Sequence, residues 1–198
     1  MAVGEQLTVT QTQGLYASKD AGTQISVSAA LSASNFAASG TTLASNYVLP
    51  TTASGLIGDI TRKALTVSLV GVARRAYDGT SAATLTSDNY NLSGFAGDDR
   101  LTITQTQGLY ASKDVGTQIS VSAALSASNF AASGTTLASN DVLPTTASGV
   151  IGDITRKTLT VSLTGATSKV YDSTTAAQLS AGNFVFDGLV DGESLSIS

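Results

Sequence analysis

Several short runs of the chain alternate apolar and small polar residues, the period that places every second side chain on one face of a strand. Leu65, Val67 and Leu69 alternate with Thr66 and Ser68, Leu101 and Ile103 with Thr102 and Thr104, and Ile119 and Val121 with Ser120 and Ser122. Each run predicts a half-buried antiparallel strand. Turn signals stand between them: Tyr77-Asp78-Gly79, Gly94, Gly97-Asp98-Asp99, Gly116, Ser133-Gly134, Pro144 and Gly149. Only Ser122 to Ala132 offers a helical alternative through its Ala-rich run, and the serines there favour strand and loop.

The pattern recurs. Leu7 to Asn46 returns as Leu101 to Asn140, an offset of 94 residues that holds without a gap to the end of the chain. Residues 7–65 match 101–159 at 54 of 59 positions, the changes being Val9/Ile103, Ala21/Val115, Tyr47/Asp141, Leu56/Val150 and Ala64/Thr158. Residues 66–104 match 160–198 at only 15 of 39, yet apolar character survives there: Tyr90 becomes Phe184, Leu92 becomes Phe186 and Phe95 becomes Leu189. Volume and apolarity are what a core preserves. A period of this length exceeds a solenoid turn and suits a small domain, so the chain reads as an array of domains. The spacing of strands and turns predicts roughly seven to nine strands per unit, the complement of a β-sandwich. Tyr77, Tyr110, Phe130 and Leu143 are the expected core anchors.

Composition narrows the chemistry. The 198 residues include no His, Cys or Trp, so there is no near-neutral imidazole base, no thiolate, no disulfide and no Cys/His metal cage. The expectation is that the protein is not an enzyme. No GxGxxG opens a helix and no GK[ST] is present, which removes nucleotide binding. Charged residues make up only 12% of the chain, with Asp+Glu 14 against Lys+Arg 10, while Ser and Thr together number 55. A net charge of -4 offers no footprint for nucleic acid or an anionic membrane surface. With 42% apolar residues a packed core can form. No apolar run reaches the ~18 residues of a spanning helix, so no direct membrane insertion is expected. The opening MAVGEQ lacks the features of a signal peptide and starts in mid-repeat, which suggests a piece of something longer.

Read from Lys63, the unit runs KALTVSL, AYDGTSAATL, GFAGDDRLTI, YASKDVGTQISVSAALSASNF and NDVLPTTASGVIGDI. In order and spacing these pieces resemble the YDG-type, mostly bacterial Ig-like (MBG) repeat of large bacterial surface adhesins and filamentous-haemagglutinin-like exoproteins. The resemblance implies an all-β fold of tandem Ig-like antiparallel β-sandwich domains arranged end to end, in an exported protein on the bacterial cell surface. Two departures stand out. Tyr171-Asp172-Ser173 replaces YDG, which questions whether that turn needs a positive φ, and Asp141 replaces Tyr47, which predicts a side chain that is not deeply buried.

In this frame residues 1–62 are the C-terminal part of one unit, 63–156 a complete unit and 157–198 the N-terminal part of the next. The alternative frame gives two complete copies, 4–98 and 99–192. If the first holds, the two ends are open half-domains whose unpaired edges complete each other between chains.

Several residue groups are weighed as sites. Gly97-Asp98-Asp99 and Asp191-Gly192-Glu193 place acids in turns where calcium could be held, although Asp is also a common turn former and no DxDxDG loop is present. Tyr77-Asp78 reads as a core ring beside a hairpin turn. Lys19-Asp20 and Lys113-Asp114 are candidates for an ion pair or an amide cross-link, the latter requiring a buried lysine. Asn91-Leu92-Ser93 fits a glycosylation acceptor and is lost in the second copy. No catalytic, cofactor-binding or metal residue is assigned, and no cofactor is expected beyond a calcium ion at those turns.

The expected function is structural: a stalk or extender repeat that projects a distal adhesive domain and supports attachment or biofilm formation. Its partners are neighbouring repeats of the same protein, with host surface or biofilm matrix met through other domains. The rival is a repeat that itself binds glycan or a host or matrix protein by multivalency, with Tyr47 as its candidate aromatic.

Overall fold

A computed structural model describes residues 6–197. The chain forms strands β1 (Gln6–Val9), β2 (Leu15–Tyr16), β3 (Gly22–Ala30), β4 (Phe36–Ser39), β5 (Thr52–Ile60), β6 (Lys63–Ala64), β7 (Thr66–Leu69), β8 (Ala73–Ala76) and β9 (Ala82–Thr84). It continues through β10 (Tyr90–Ser93), β11 (Leu101–Ile103), β12 (Gln107–Tyr110), β13 (Gly116–Ala124), β14 (Phe130–Ala132), β15 (Asp141–Val142), β16 (Thr146–Thr155), β17 (Thr160–Leu163) and β18 (Phe184–Asp187). Among the described residues there is no α-helix, only short 3₁₀ turns, so the fold is all-β. Most strands are two to four residues long, while β3, β5, β13 and β16 run to nine or ten.

The strands fall into two compact units, each assembled from several segments: one of residues up to 65 with 94–100 and 132–143, the other of 66–93, 101–131 and 144 onward. In the first unit β2, β3 and β5 form an antiparallel sheet, β1 pairs with β4, and β6 runs parallel to β15. In the second, a five-stranded sheet has the order β8-β16-β13-β12-β9, flanked by the pairs β7-β10, β11-β14 and β17-β18. The edge strand β8 runs parallel to β16, Gly152 facing Ala73 and Thr155 facing Ala76. β13 carries a bulge where the register slips between Thr117 and Ile119, and Gln118 sits there with φ 54°.

The core of the second unit follows the predicted alternation. Leu69, Leu101, Ile103, Tyr110, Val121, Ala123, Phe130, Ile151 and Ile154 are buried. Pair β7-β10 crosses β16 closely, and only glycine allows it: a β-carbon on Gly149 would fall 2.3 Å from the Leu69 carbonyl oxygen. Tyr110 and Phe130 are thus the core anchors expected of them, whereas Tyr77 and Leu143 are only half-buried.

Small local devices set the strand starts. Four times a Ser or Thr is followed three residues later by Asn, as in Ser32/Asn35, Thr86/Asn89, Ser126/Asn129 and Ser180/Asn183. The Asn Oδ1 accepts the backbone N–H of the leading residue at 2.8–2.9 Å, closing a single 3₁₀ turn. The Asn carbonyl then accepts the N–H of Thr10, Val70, Thr104 or Thr164 at 2.8 Å and so fixes the neighbouring strand.

Candidate functional site

The motif Tyr-Asp-x-Thr occurs at Tyr77 to Thr80 and again at Tyr171 to Thr174. In the first, Asp78 Oδ1 accepts the Thr80 N–H and the Thr80 hydroxyl, both at 2.9 Å, and the Arg75 guanidinium closes on the same oxygen. Arg75 also donates to the Thr80 carbonyl and stands 5.1 Å from the centre of the Tyr110 ring. The second motif repeats the arrangement with lysine: Asp172 Oδ1 accepts from Thr174 N–H at 3.0 Å, its hydroxyl at 2.9 Å and Lys169 Nζ at 2.9 Å. Lys169 likewise donates to the Thr174 carbonyl at 2.7 Å. The cation three residues before each Asp, Arg75 or Lys169, is the sequence signal of this clamp.

The electrostatics follow from these bonds. The Thr80 N–H and hydroxyl hold the Asp78 carboxyl below its usual range, with Arg75 adding to them. Lys169, then the Thr174 N–H, do the same for Asp172. The turn itself is not a hairpin, since β8 and β9 lie at opposite edges of their sheet and the motif is the crossover between them. Its third residue takes a positive φ in both cases, 78° at Gly79 and 59° at Ser173, so the turn does demand that conformation and serine bears it.

Tyr77 is displaced from its expected core position by a polar contact. It lines a cleft of about 540 Å³ with Leu159, Leu189, Val190 and Glu193, and its hydroxyl donates to Glu193. That carboxylate pushes the Tyr77 hydroxyl above its usual range. The phenol is therefore a hydrogen-bond donor at neutral pH and not a nucleophile.

The remaining candidates separate. Asp99 accepts from the Thr136 hydroxyl at 3.2 Å, within the first unit, and Glu193 is taken by Tyr77. Among the described residues no three acidic side chains gather where a metal ion could sit. Lys19 pairs with Asp20 at 3.1 Å but is exposed, so it lacks the burial an amide cross-link needs; Asp20 is held low chiefly by the Asn140 amide, which donates at 2.9 Å, and then by Lys19. Asp114 accepts instead from the Ser112 hydroxyl at 3.3 Å. Asn91 lies exposed in β10. Tyr47 is half-buried and lines a cleft with Leu7, Val9, Phe36 and Val48.

Asp141 contradicts its sequence reading. It is 6% exposed, and its Oδ2 is buried without a hydrogen-bond partner. Burial, reinforced by Asp99 and opposed by Lys63, raises its carboxyl above the ordinary range. The Tyr-to-Asp exchange suggested exposure because it keeps neither size nor polarity, but pairing of β15 with β6 fixes the side chain by its backbone.

One further feature recurs. A groove lined by small and polar residues runs past Gly108, Ser122 and Thr146 in the second unit, and another past Gly14, Ser28 and Thr52 in the first.

The sequence model of the YDG domain matches residues 61–149 and again residues 155–198. The chain belongs to the YDG domain family. No curated protein and no solved structure matches it.

Proposed function

We propose that the chain is a structural repeat, a stalk or extender of tandem Ig-like β-sandwich domains in a bacterial cell-surface adhesin. The supporting observation is how the motif shared by both matches is spent: its carboxylate, Asp78 or Asp172, is engaged by its own turn and the adjoining cation. A side chain so occupied holds a loop shape and has little left for a ligand. The succession of matches at 61–149 and 155–198 supports a frame in which 63–156 is one whole repeat, preceded and followed by parts of its neighbours. On this reading the protein is exported and acts by length, carrying a distal adhesive domain away from the cell.

Scattering from chains carrying one additional 94-residue repeat tests this. The longest dimension should grow by about 35 Å per repeat, the width of a compact domain of that size. No growth would sink the extender reading.

The second reading, a repeat that itself binds glycan or a matrix protein, is favoured by the recurrence of the small-residue groove in each unit. Binding of an arrayed glycan that is lost on Leu109→Arg and Leu15→Arg, two exposed residues that line the grooves, would support it over the stalk. Neither reading gives the chain a catalytic role.

A further inference from the structure

Strand pairing decides which residues stand where the chain leaves a repeat. β16 runs to Thr155, and β8 lies parallel to it with Ala76 facing Thr155, so the residues after β8 emerge at this exit end. The Tyr77 N–H donates to the Thr155 carbonyl at 2.8 Å and fixes the place. β13 begins at the same end, since Gly116 faces Ile154, and brings Val115 there as well. Tyr77-Asp78-Gly79 and Val115 therefore stand where Arg156-Lys157 leads on toward β17 and β18.

A corner of the following repeat meets them. The Val190 carbonyl accepts the Glu193 N–H at 3.0 Å and closes a turn after β18. The Glu193 carboxylate accepts the hydroxyl of Tyr77, 116 positions earlier, and Leu159, Leu189 and Val190 line the cleft beside the ring together with Val115. Gly79 comes closest of all: a β-carbon there would lie 2.8 Å from Val190 Cγ1 and 3.8 Å from Val190 Cβ. Asp78 shapes the turn, while its two neighbours face the following repeat.

The exit end of the earlier copy is used in the same way. Gly22 faces Ile60 as Gly116 faces Ile154, so the turn Ser18 to Ala21 stands where β5 ends. Its Ala21 N–H donates to Asn140 Oδ1 at 2.9 Å, and Asn140 Nδ2 donates to Asp20 Oδ1 at 2.9 Å. Asn140 lies in the repeat 63–156, which follows. Both exit ends thus bond to the succeeding repeat, each with a carboxylate as acceptor.

We infer that the exit end of a repeat is the seat for the next one, and that Tyr77 and Gly79 of the YDG signature build it: Tyr77 binds the Glu193 carboxylate and Gly79 admits Val190. A linker alone leaves two soft dihedrals per residue, whereas a second contact beside it fixes orientation. This rests on the reading of 63–156 as one repeat of a stalk and deepens it, placing the stiffness of the stalk in a named contact.

The test uses the whole chain, which has no native cysteine. Gly79→Cys with Val190→Cys sets two β-carbons 3.8 Å apart, an ordinary disulfide separation, and should leave no free thiol after air oxidation of the folded chain. Thiols that stay free would overturn the contact. Spin labels on Val72→Cys and Val185→Cys, both exposed positions, read the joint itself. Their distance distribution should be narrow and should broaden on Tyr77→Ala or Glu193→Ala. Glu193→Gln keeps an oxygen that accepts the Tyr77 hydroxyl and should leave it narrow. A distribution unmoved by Tyr77→Ala would make Tyr77 a structural residue of its own repeat and overturn the seat. A disulfide that forms in chains that do not lengthen with added repeats would sink the extender reading and keep the seat, whereas free thiols with normal lengthening would sink the seat alone.

Discussion

Tyr110 and Gly152 are packed so closely that a β-carbon on the glycine would fall 2.7 Å from the ring Cδ1 and 2.8 Å from the Ile119 carbonyl oxygen. The ring thus lies flat over the backbone of β16 while its hydroxyl reaches Ala73. Gly152→Ala must displace ring or strand and should cost about 1–3 kcal/mol, as overpacking does. Tyr110→Phe strands a buried carbonyl and should cost about 1 kcal/mol. Tyr16→Phe, at the same sequence position in the more exposed copy, should leave denaturant unfolding unchanged, and equal losses at both positions would contradict the burial contrast.

Asp141 makes stability fall with pH. Its folded-state pKa lies above the unfolded one, so its contribution is intact below the ordinary carboxylate range and is lost as pH rises through the raised value. Asp141→Asn removes the buried charge and should gain about 1 kcal/mol at neutral pH. The gain should vanish in acid, where Asp141 is already protonated, and a gain independent of pH would show that charge is not the cause.

The two clamped turns differ in strain. Ser173 holds φ 59° without glycine's freedom, and Ser173→Gly should stabilise by up to about 1 kcal/mol. Gly79→Ala should lose about 1–2 kcal/mol from its φ of 78°, and its β-carbon would also meet Val190 Cγ1 at 2.8 Å. Calorimetry on the two variants should show melting temperatures moving in opposite directions.

Arg75→Lys copies the second turn into the first and should keep the clamp, since Lys169 makes the equivalent bonds. Asp78→Ala should lower the melting temperature at neutral pH. That difference should shrink as pH falls below the ordinary carboxylate range, because Asp78 titrates below it and contributes only while ionised. A constant difference across pH would argue that the carboxylate is not what closes the turn.

Asn129→Ala removes the acceptor that closes the turn before β14 and should cost about 1 kcal/mol. Asn129→Asp, which keeps an acceptor oxygen, should recover most of it in thermal unfolding.

Much of the fold was legible in local pattern. The alternation at Leu65 to Leu69, Leu101 to Ile103 and Ile119 to Val121 marks strands whose inward residues are buried or half-buried, because period two and pleat geometry are properties of the chain itself. The Ser/Thr-x-x-Asn turns were equally local and could have been read from their recurrence. The crossover at Tyr77 could not, since a turn motif specifies how the chain bends and not which edge of a sheet it reaches. Tyr77 itself left the core because Glu193, far away in sequence, offered its hydroxyl a partner.

The sequence by itself determined the β-strand periods, the turns and the duplication, all of which depend on neighbours along the chain. Burial was decided only by tertiary structure. Tyr16 and Tyr110 stand in the same run QTQGLYASKD, yet one is half exposed and the other sealed. The same holds for Leu163 and Leu69, and for the orphaned carboxyl of Asp141. An apolar face is a property of a strand, whereas its removal from water requires a second surface, and that surface comes from residues far along the chain.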